Sequence, residues 1–353
     1  MPAAPTDGPA VPVPDDLAAW LVASVDQPGP FTMRRLAGGN SNETWEVRCA
    51  AGTRRGPGPG RWILRHPPAH LIDASAHSMG REHVVLRALS GAGAPVPRPL
   101  GLHERPDGSS FLLMEAIDGV SLTDRRPAGY PDPAASAAAI GATVVDALAR
   151  VHLVDWEAAG LEGFGRPEGF LARQVPRWQR QLDGYRTRDL PHVDELSVWL
   201  AANLPAEQPP AVLHGDFHLD NCLLSWDSPV RVEAVIDWEM ATIGDPLLDL
   251  GLFLALWGDG RPADPAMPRI QAVSRVAGTP PRTELAERYA SATGRSIDGL
   301  RWYMAFACWK LAAIVEGAYA QHVRGELDTD YARALEHDVP ALLQEAAQIV
   351  EDA

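Results

Sequence analysis

The sequence predicts an α+β protein with a small β-rich N-terminal lobe and a larger, mostly helical C-terminal lobe. Short segments rich in β-branched and aromatic residues occupy much of residues 31–114, as is typical of strands. After a Pro-rich loop at 127–133, apolar residues recur at helical spacing almost to the end. A chain of 353 residues is long enough for one large or two ordinary domains.

The elements follow in order. We predict a flexible tail over residues 1–14, because this Pro- and Ala-rich start lacks the basic and apolar regions of a signal peptide. The N-lobe, residues 15–115, is predicted to contain a helix at 15–25, strands between 31 and 65, a helix around Glu82 ending at Gly91, and strands at 98–103 and 110–114. The C-lobe, residues 116–353, is predicted to contain helices at 134–152, 169–185, 193–203, 247–257, 283–293, 300–322 and 330–352.

The polar loop after residue 213 points to phosphoryl transfer. Asp216 and Asn221 have the spacing of the base and the metal-binding Asn in a kinase catalytic loop, and Asp237 follows a short apolar strand. A carboxylate beside an acceptor hydroxyl can take its proton, which is the role predicted for Asp216. Asn221 and Asp237 are predicted Mg²⁺ ligands, because Mg²⁺ prefers hard oxygen donors.

Two other interpretations of this loop remain open. Asp and Asn between strands are often only turn formers, whose side chains bond nearby backbone groups. Alternatively His214, His218 and Cys222 recur every four residues, and on a helix they would share a face that could bind zinc. Gly215 disfavours such a helix, and zinc leaves Asp237 unexplained. We expect His214 to be a packed, hydrogen-bonded loop anchor.

Two sequence runs resemble the aminoglycoside phosphotransferase family, which has a two-lobed protein-kinase-like fold. They are His-Gly-Asp-Phe-His-Leu-Asp-Asn at 214–221 and Ile-Asp-Trp-Glu at 236–239. The resemblance implies that Asp249, in Gly-Asp-Pro-Leu-Leu-Asp-Leu, braces the catalytic loop. It also implies a cytoplasmic kinase that uses ATP, with GTP as an alternative, and Mg²⁺ to phosphorylate a small-molecule hydroxyl.

The same resemblance assigns the nucleotide side of the site. A turn containing Gly38, Gly39, Asn40 and Ser41 stands where the family brings backbone amides to the phosphates. Arg65 stands in place of the usual lysine, since the only lysine is Lys310, and Glu82 would pair with it. Glu115 lies where the hinge would pair with adenine. The Leu64-to-Pro68 run also resembles kinase domains associated with acyl-CoA dehydrogenases.

The acceptor is less well specified by the sequence. The resemblance makes Arg173, Trp178, Tyr303, Trp309 and Glu316 candidate wall residues, although aromatic residues are more often core. The net charge of −15 argues against nucleic acid and anionic membrane surfaces as partners and is compatible with a cationic aminoglycoside. An acyl-CoA-type hydroxy acid would instead prefer a basic mouth, for which the arginines at 173, 177 and 180 are candidates.

Further expectations concern assembly and compartment. Three scattered cysteines indicate a reduced cytoplasm without disulfides, and we expect no apolar run of membrane-spanning length. The chain is expected to be a monomer or homodimer. A second function class is a nucleotide-binding pseudokinase with a regulatory role, for which the arginine at position 65 is the main argument.

Overall fold

The computed structural model describes residues 8–36, 42–53, 56–67, 78–122, 126–130 and 132–351. Its strands are β1 (Val11–Pro12), β2 (Phe31–Arg35), β3 (Glu43–Thr53), β4 (Gly56–His66), β5 (Pro99–Glu104), β6 (Ser110–Glu115), β7 (Val120–Ser121), β8 (Ala211–Leu213), β9 (Cys222–Leu224), β10 (Val232–Val235) and β11 (Thr242–Gly244). Its helices are α1 (Asp15–Val25), α2 (Met79–Gly91), α3 (Pro133–His152), α4 (Phe170–Asp183), α5 (Val193–Ala202), α6 (Leu247–Leu256), α7 (Arg282–Thr293), α8 (Leu300–Val323) and α9 (Asp330–Glu351).

The chain divides into two compact units. The first comprises Met1–Asp118, Glu157–Leu161 and Ala234–Ala241, and the second comprises the remaining segments. The main boundary after Asp118 lies three residues beyond the predicted one at 115. The segment 234–241 follows the catalytic loop in sequence but belongs to the first unit, which the sequence did not indicate.

A six-stranded antiparallel sheet organises the first unit, in the order β1-β2-β3-β4-β6-β5. Alternate residues of its strands face an apolar cluster that includes Leu17 and Leu21 of α1, Val47 of β3 and Leu64 of β4. β4 lies inside the sheet, between β3 and β6. The backbone of β4 is therefore hydrogen-bonded on both sides, which fixes the position from which each of its side chains extends.

Helix α8 is the centre of the second unit. Helices α4, α5, α6 and α9 all pack against it. Eleven of its 24 residues are Ala, Trp, Tyr or Phe, and Trp302 stacks on Phe306 with ring centroids 5.1 Å apart. Most residues between 302 and 316 are buried, as expected of a helix with apolar side chains on every side. Two short antiparallel pairs, β7 with β9 and β8 with β11, also lie in this unit.

The two-part α+β organisation and the helices are confirmed, with helix ends displaced by at most two residues. The prediction of a flexible tail was wrong for residues 8–14. Val11 and Pro12 pair with β2, and the Gly8 N–H donates to the Arg35 carbonyl at 3.0 Å. The pairing depends on the position of β2, so local composition did not show it.

Helix α3 corrects another expectation. Among the described residues it alone is long and apolar enough to cross a membrane, judged by length and composition. More than half of its apolar window is buried inside the protein. A core helix meets the same criterion, and α3 packs against α7 and β8.

Candidate active site

The loop between β8 and β9 carries the predicted base. β8 pairs with β11, so the loop starts from a fixed strand end. Gly215 then adopts a φ of 85°, a conformation that favours glycine and turns the chain sharply. A single 3-10 turn at Leu219–Asn221 ends the loop. Asp216 and Asn221 therefore lie at opposite ends of one short, ordered segment.

Asp249 holds the start of this loop. Its carboxylate accepts the His214 N–H at 2.6 Å and the Gly215 N–H at 2.9 Å, and His152 Nε2 lies 3.3 Å away. Asp249 lies in the first turn of α6 and is 1% exposed. Burial alone would raise its pKa, but the hydrogen bond and charge of His152 and the His214 N–H hold the pKa below its usual value.

His214 is completely buried and occupies the anchor position expected of it. Its Nδ1 accepts the Asp216 N–H at 3.2 Å, and its ring meets Phe217 edge to face at 6.0 Å. The imidazole thus fixes the backbone that carries Asp216.

Asp216 projects a partly exposed carboxylate, 38% accessible at the side chain. His218 Nε2 lies 3.4 Å from its Oδ2. Burial alone would raise the pKa of Asp216, but the charge and hydrogen bond of His218, with His214 and Lys310, hold it well below its usual range. The carboxylate is ionised at neutral pH and can accept a hydrogen bond from a hydroxyl.

Asn221 is locked to the same loop. Its amide nitrogen donates to the Asp216 carbonyl at 2.9 Å and lies 3.4 Å from the Asp216 carboxylate. In this orientation the amide nitrogen faces Asp216. The other end of the amide is its carbonyl oxygen, a hard donor of the kind that Mg²⁺ prefers.

Lys310 approaches the loop from α8. Its Nζ donates to the Gly215 carbonyl at 2.8 Å and lies 5.3 Å from the centroid of the Trp178 ring. Burial lowers its pKa, and the charges of Asp216 and Asp249 oppose that shift. The only lysine of the chain is therefore a neighbour of the catalytic loop, a role the sequence analysis did not assign.

The first unit contains a separate ionic cluster around Arg65. Arg65 Nη1 lies 2.6 Å from Glu82 Oε1, and Nη2 lies 2.7 Å from Asp237 Oδ1 and 3.7 Å from Glu239 Oε2. Arg65 is 7% exposed and Glu82 is 1% exposed. One guanidinium thus binds three carboxylates, and the predicted pair with Glu82 is present.

Local structure explains how these groups meet. Arg65 lies on β4, opposite Thr44 of β3 and Leu112 of β6. Glu82 lies in the first turn of α2, whose N-terminus is capped by the Ser78 hydroxyl. Both backbones are fixed, so the side chains need little additional ordering.

The charges in the cluster do not balance. Burial is the largest effect on Glu82 and raises its pKa to about 7, with Asp237 and Glu239 adding to the rise and Arg65 opposing it. Burial alone would lower the pKa of Arg65, but its carboxylate partners outweigh burial and raise the pKa above its usual value. Arg65 therefore stays charged, and Glu82, the most buried acid, is the member of the cluster that most readily takes up a proton.

Asp237 is the accessible member of the cluster, with 32% of its side chain exposed. It adopts a left-handed backbone conformation, with φ at 68°, which Asp tolerates better than most residues. The neighbouring Trp238 is buried and its indole donates to the Val235 carbonyl at 2.9 Å. Trp238 thus anchors the turn that presents Asp237, whose carboxylate is a suitable oxygen donor for Mg²⁺.

Other predicted nucleotide-binding residues have mixed outcomes. Gly38, Gly39, Asn40 and Ser41 lie outside the described residues. Glu115 ends β6, and its Oε1 accepts the Arg98 N–H at 2.9 Å. Its part in adenine binding stays a prediction.

The zinc alternative is not supported within the described ranges. Residues 214–218 form no helix, so His214, His218 and Cys222 do not share a helix face. No group of three or more His, Cys, Asp or Glu side chains there could hold a metal ion.

The structure corrects the acceptor prediction for three residues. Tyr303, Trp309 and Glu316 are completely buried in the second unit. Their polar atoms bond Asp245, the Val193 carbonyl and Arg188, respectively. Because α8 is the central helix, these side chains form its packing contacts and are not wall residues.

Arg173 and Trp178, both on α4, have different positions. Arg173 is partly exposed, and its guanidinium donates to the carbonyls of residues 166, 168 and 169. It thus links the first turns of α4 to the segment that precedes the helix. Trp178 is 5% exposed, and its indole N–H has no hydrogen-bond partner among the described residues.

The cluster has two further polar neighbours, Asn42 and Glu239, which were not among the predicted site residues. The Asn42 amide donates to Glu239 Oε2 at 2.5 Å, next to the Arg65 cluster. The sequence feature that could have indicated Glu239 is its position two residues after Asp237, in the Ile-Asp-Trp-Glu run.

Comparison with known proteins identifies the family. A model of the phosphotransferase enzyme family (APH) matches residues 32–306. Mouse acyl-CoA dehydrogenase family member 10 is 33% identical over 309 residues, which are 86% of this chain and 28% of that protein. The chain thus spans under a third of that relative.

Two solved structures are similar. A Ralstonia eutropha protein, a candidate aminoglycoside phosphotransferase, superposes with a TM-score of 0.80 at 28% identity, covering 97% of this chain and 99% of that one. An aminoglycoside phosphotransferase, APH(4)-Ia, bound to ADP and hygromycin B has a TM-score of 0.55 at 17% identity, covering 94% and 99%, which shows the fold alone.

The chain therefore belongs to the phosphotransferase enzyme family. Its fold is the kinase-like fold of that family, with a β-sheet unit and a helical unit. The enzymes of this family are phosphotransferases.

Proposed function

We propose that the protein is an ATP-dependent kinase that transfers the γ-phosphoryl group to a hydroxyl of a small molecule. The observation that carries the proposal is the ionised carboxylate of Asp216, presented on a loop that Asp249 holds through two N–H groups. A general base needs a fixed position as well as an accessible lone pair. Asp216 has both.

In this proposal Asp216 accepts the proton of the acceptor hydroxyl. The acceptor oxygen forms a bond to the γ-phosphorus, the bond between that phosphorus and the β–γ bridging oxygen breaks, and ADP leaves. Arg65 binds phosphate oxygens, and Glu82 keeps its guanidinium in place from the opposite side.

Asn221 and Asp237 are proposed to hold Mg²⁺, which when bound neutralises charge on the phosphate oxygens. The donor set fits: both residues supply hard oxygen atoms. GTP is retained as an alternative donor. The ADP complex of a neighbour with the same fold supports a nucleotide substrate.

The acceptor is proposed to be aminoglycoside-like or hydroxyacyl-type. The first is supported by the Ralstonia protein and by hygromycin B bound to the more distant neighbour. The second is supported by the acyl-CoA dehydrogenase family member, of which this chain matches only a part.

The pseudokinase alternative loses its main argument. It depended on arginine replacing lysine at position 65, yet Arg65 forms the ion pair with Glu82 that the family resemblance implies. Family membership also supports an enzyme.

The first experiment separates binding from turnover. We expect the wild type to bind ATP with Mg²⁺ in calorimetry and Asp237→Ala to lose most of that binding. Asp216→Asn should retain nucleotide binding but lose product by about 10²-fold or more, the usual size of general-base catalysis, in mass spectrometry of hydroxyl acceptors.

Asp298→Asn is the matched control, because Asp298 is exposed and in the second unit. This variant should leave both the ATP affinity and the amount of phosphorylated product unchanged. Failure of the wild type to bind ATP or GTP would contradict the kinase proposal. Full turnover in Asp216→Asn would remove Asp216 as the base.

A further inference from the structure

A cavity of about 410 Å³ on the second unit has an unusual charge. Four arginines, Arg166, Arg173, Arg177 and Arg180, line it together with Phe170, and no carboxylate lines it. The chain as a whole carries a net charge of −15. A locally positive cavity on an acidic protein therefore needs a specific explanation.

Three of these arginines lack a carboxylate partner in the part of the chain that the structure describes. Arg166, Arg177 and Arg180 have no carboxylate within ion-pair distance among the described residues, whereas Arg188 and Arg261 elsewhere in this unit do. Unpaired arginines that share one concave surface repel one another. Such an arrangement favours an anion that would offset the repulsion.

The cavity is built on fixed backbone. The arginines at 173, 177 and 180 follow helical spacing on α4 and so lie on one face. Arg173 is bound to the carbonyls of residues 166, 168 and 169, which fixes the segment that carries Arg166. Phe170 packs closely on Gly244, where an added Cβ would lie 2.7 Å from the ring. Packing therefore fixes the backbone from which the exposed side chains of Arg166, Arg177 and Arg180 extend.

The cavity is connected to the catalytic loop within the second unit. Thr242, a lining residue, pairs with Leu213, which directly precedes His214. The Arg177 guanidinium lies 4.9 Å from the Trp178 ring, and that ring lies 5.3 Å from the Nζ of Lys310, which is bonded to the Gly215 carbonyl. A molecule held in the cavity would thus lie beside the elements that carry Asp216.

We propose that this arginine cavity binds a phosphate or carboxylate group of the acceptor, so that the acceptor is an anionic hydroxyl compound. The proposal rests on the proposed function and selects between its acceptor classes. Arginine forks match the oxygens of both anions, whereas a polycationic acceptor would be repelled by unpaired positive charges.

The test uses the full chain and three hydroxyl compounds of one carbon skeleton: glycerol, glycerate and glycerol 3-phosphate. Binding is followed by ligand-observed NMR, first with Mg²⁺ and ADP at saturation and then without nucleotide. The variants are Arg177→Gln with Arg180→Gln, and Arg87→Gln as an exposed arginine of α2 in the first unit. Circular dichroism checks that each variant is folded.

We expect at least one of the two anions to bind and glycerol not to bind. The affinity should fall by about tenfold or more in the double variant and remain unchanged in Arg87→Gln. Binding of glycerol 3-phosphate alone identifies a phosphate group as the ligand, and binding of glycerate identifies a carboxylate.

Two results would overturn the proposal: no binding of either anion, or equal binding by the wild type and the double variant. Tight binding of kanamycin that weakens in the double variant would also overturn it. Because the cavity lies within one unit, anion binding without nucleotide is measured independently of the kinase proposal, which fails separately if ADP does not bind.

Discussion

Arg65 makes two separately directed contacts at the position where the family resemblance implies a lysine. A lysine presents one ammonium, whereas the two terminal nitrogens of Arg65 point separately at Glu82 and at Asp237. The guanidinium can therefore keep its helix partner while the other nitrogen faces the exposed acid. The cost is a third carboxylate, Glu239, in the same buried cluster.

That imbalance predicts a pH-dependent contribution to stability. The pKa of Glu82 is about 7 in the folded protein, against an ordinary value of 4.5, so the folded state retains a proton that the unfolded chain has lost. The contribution is complete below pH 4.5 and is lost as the pH rises through 7. Its size is at most about 3–4 kcal/mol, at roughly 1.4 kcal/mol per pKa unit.

Glu82→Gln should remove this dependence. Urea unfolding of the wild type and variant between pH 4.5 and 8 measures the difference in their unfolding free energies. The exposed Glu104→Gln is the control. A difference that does not change with pH would show that Glu82 is ionised throughout.

At the scale of elements, the catalytic loop is held by a helix and not by its own contacts alone. Asp249 of α6 accepts two loop N–H groups and also contacts His152 of α3. Two secondary-structure elements thus meet at one carboxylate. An isolated loop of this length would have no reason to retain the conformation.

Asp249→Asn tests this bracing. An amide has one acceptor oxygen, so at least one loop N–H would face an NH₂ group and remain unpaired. We expect the unfolding free energy to fall by about 2–3 kcal/mol and phosphoryl transfer to fall as well. Denaturant unfolding and product formation measure the two effects, and a fully active, fully stable variant would contradict the assignment.

The packing of α6 on α8 depends on a glycine. A Cβ on Gly251 would lie 2.7 Å from the Tyr303 Cβ and 2.8 Å from its carbonyl carbon. Gly251→Ala should lower the unfolding free energy by about 1–3 kcal/mol, because backbone cannot move aside without shifting a helix.

Gly91→Ala is the matched control in α2. An added Cβ there meets nothing within 4 Å. It should be neutral or stabilising by up to about 1 kcal/mol, since alanine favours helix. If Gly251→Ala and Gly91→Ala lower the unfolding free energy equally, the contact between Gly251 and Tyr303 is not the cause of the loss.

At the scale of the whole molecule, the cysteines take no part in covalent structure. Cys49, Cys222 and Cys308 are all free and buried. Burial raises the pKa of Cys308 to about 12 and also raises that of Cys222 above its usual value. Thiols that are buried and protonated react slowly.

A thiol-titration experiment follows. The native protein should show almost no reaction with a disulfide reagent, and all three thiols should react in guanidinium. Reducing agent should leave Tm unchanged. Rapid reaction of one thiol in the native state would mean that the surrounding core opens.

The sequence indicated most of the fold because its patterns are local. The bounds of α1 and the end of α2 at Gly91 follow from local sequence patterns, and the structure has them at the expected residues. The pairing of Val11 and Pro12 with β2 could not be predicted, since a two-residue strand has no periodicity. The joining of residues 234–241 to the first unit also depends on tertiary contacts.

The site was predicted in a different way. Asp216, Asn221 and Asp237 follow from spacing, and Arg65, Glu82 and Asp249 follow from resemblance to a family. Three of the predicted acceptor residues are core residues, because Tyr303, Trp309 and Glu316 lie on the part of α8 that neighbouring helices cover, and those helices are known only from the fold.

The sequence by itself determined the class of chemistry, since the residues for phosphoryl transfer are adjacent in the chain or related by short, fixed spacings. The tertiary structure decided which charges meet. It brought Arg65 to three carboxylates, Lys310 to the Gly215 carbonyl, and unpaired arginines to one cavity. The reason is physical: spacing along a chain is encoded locally, whereas an ion pair across 172 residues exists only after the packing that brings its partners together.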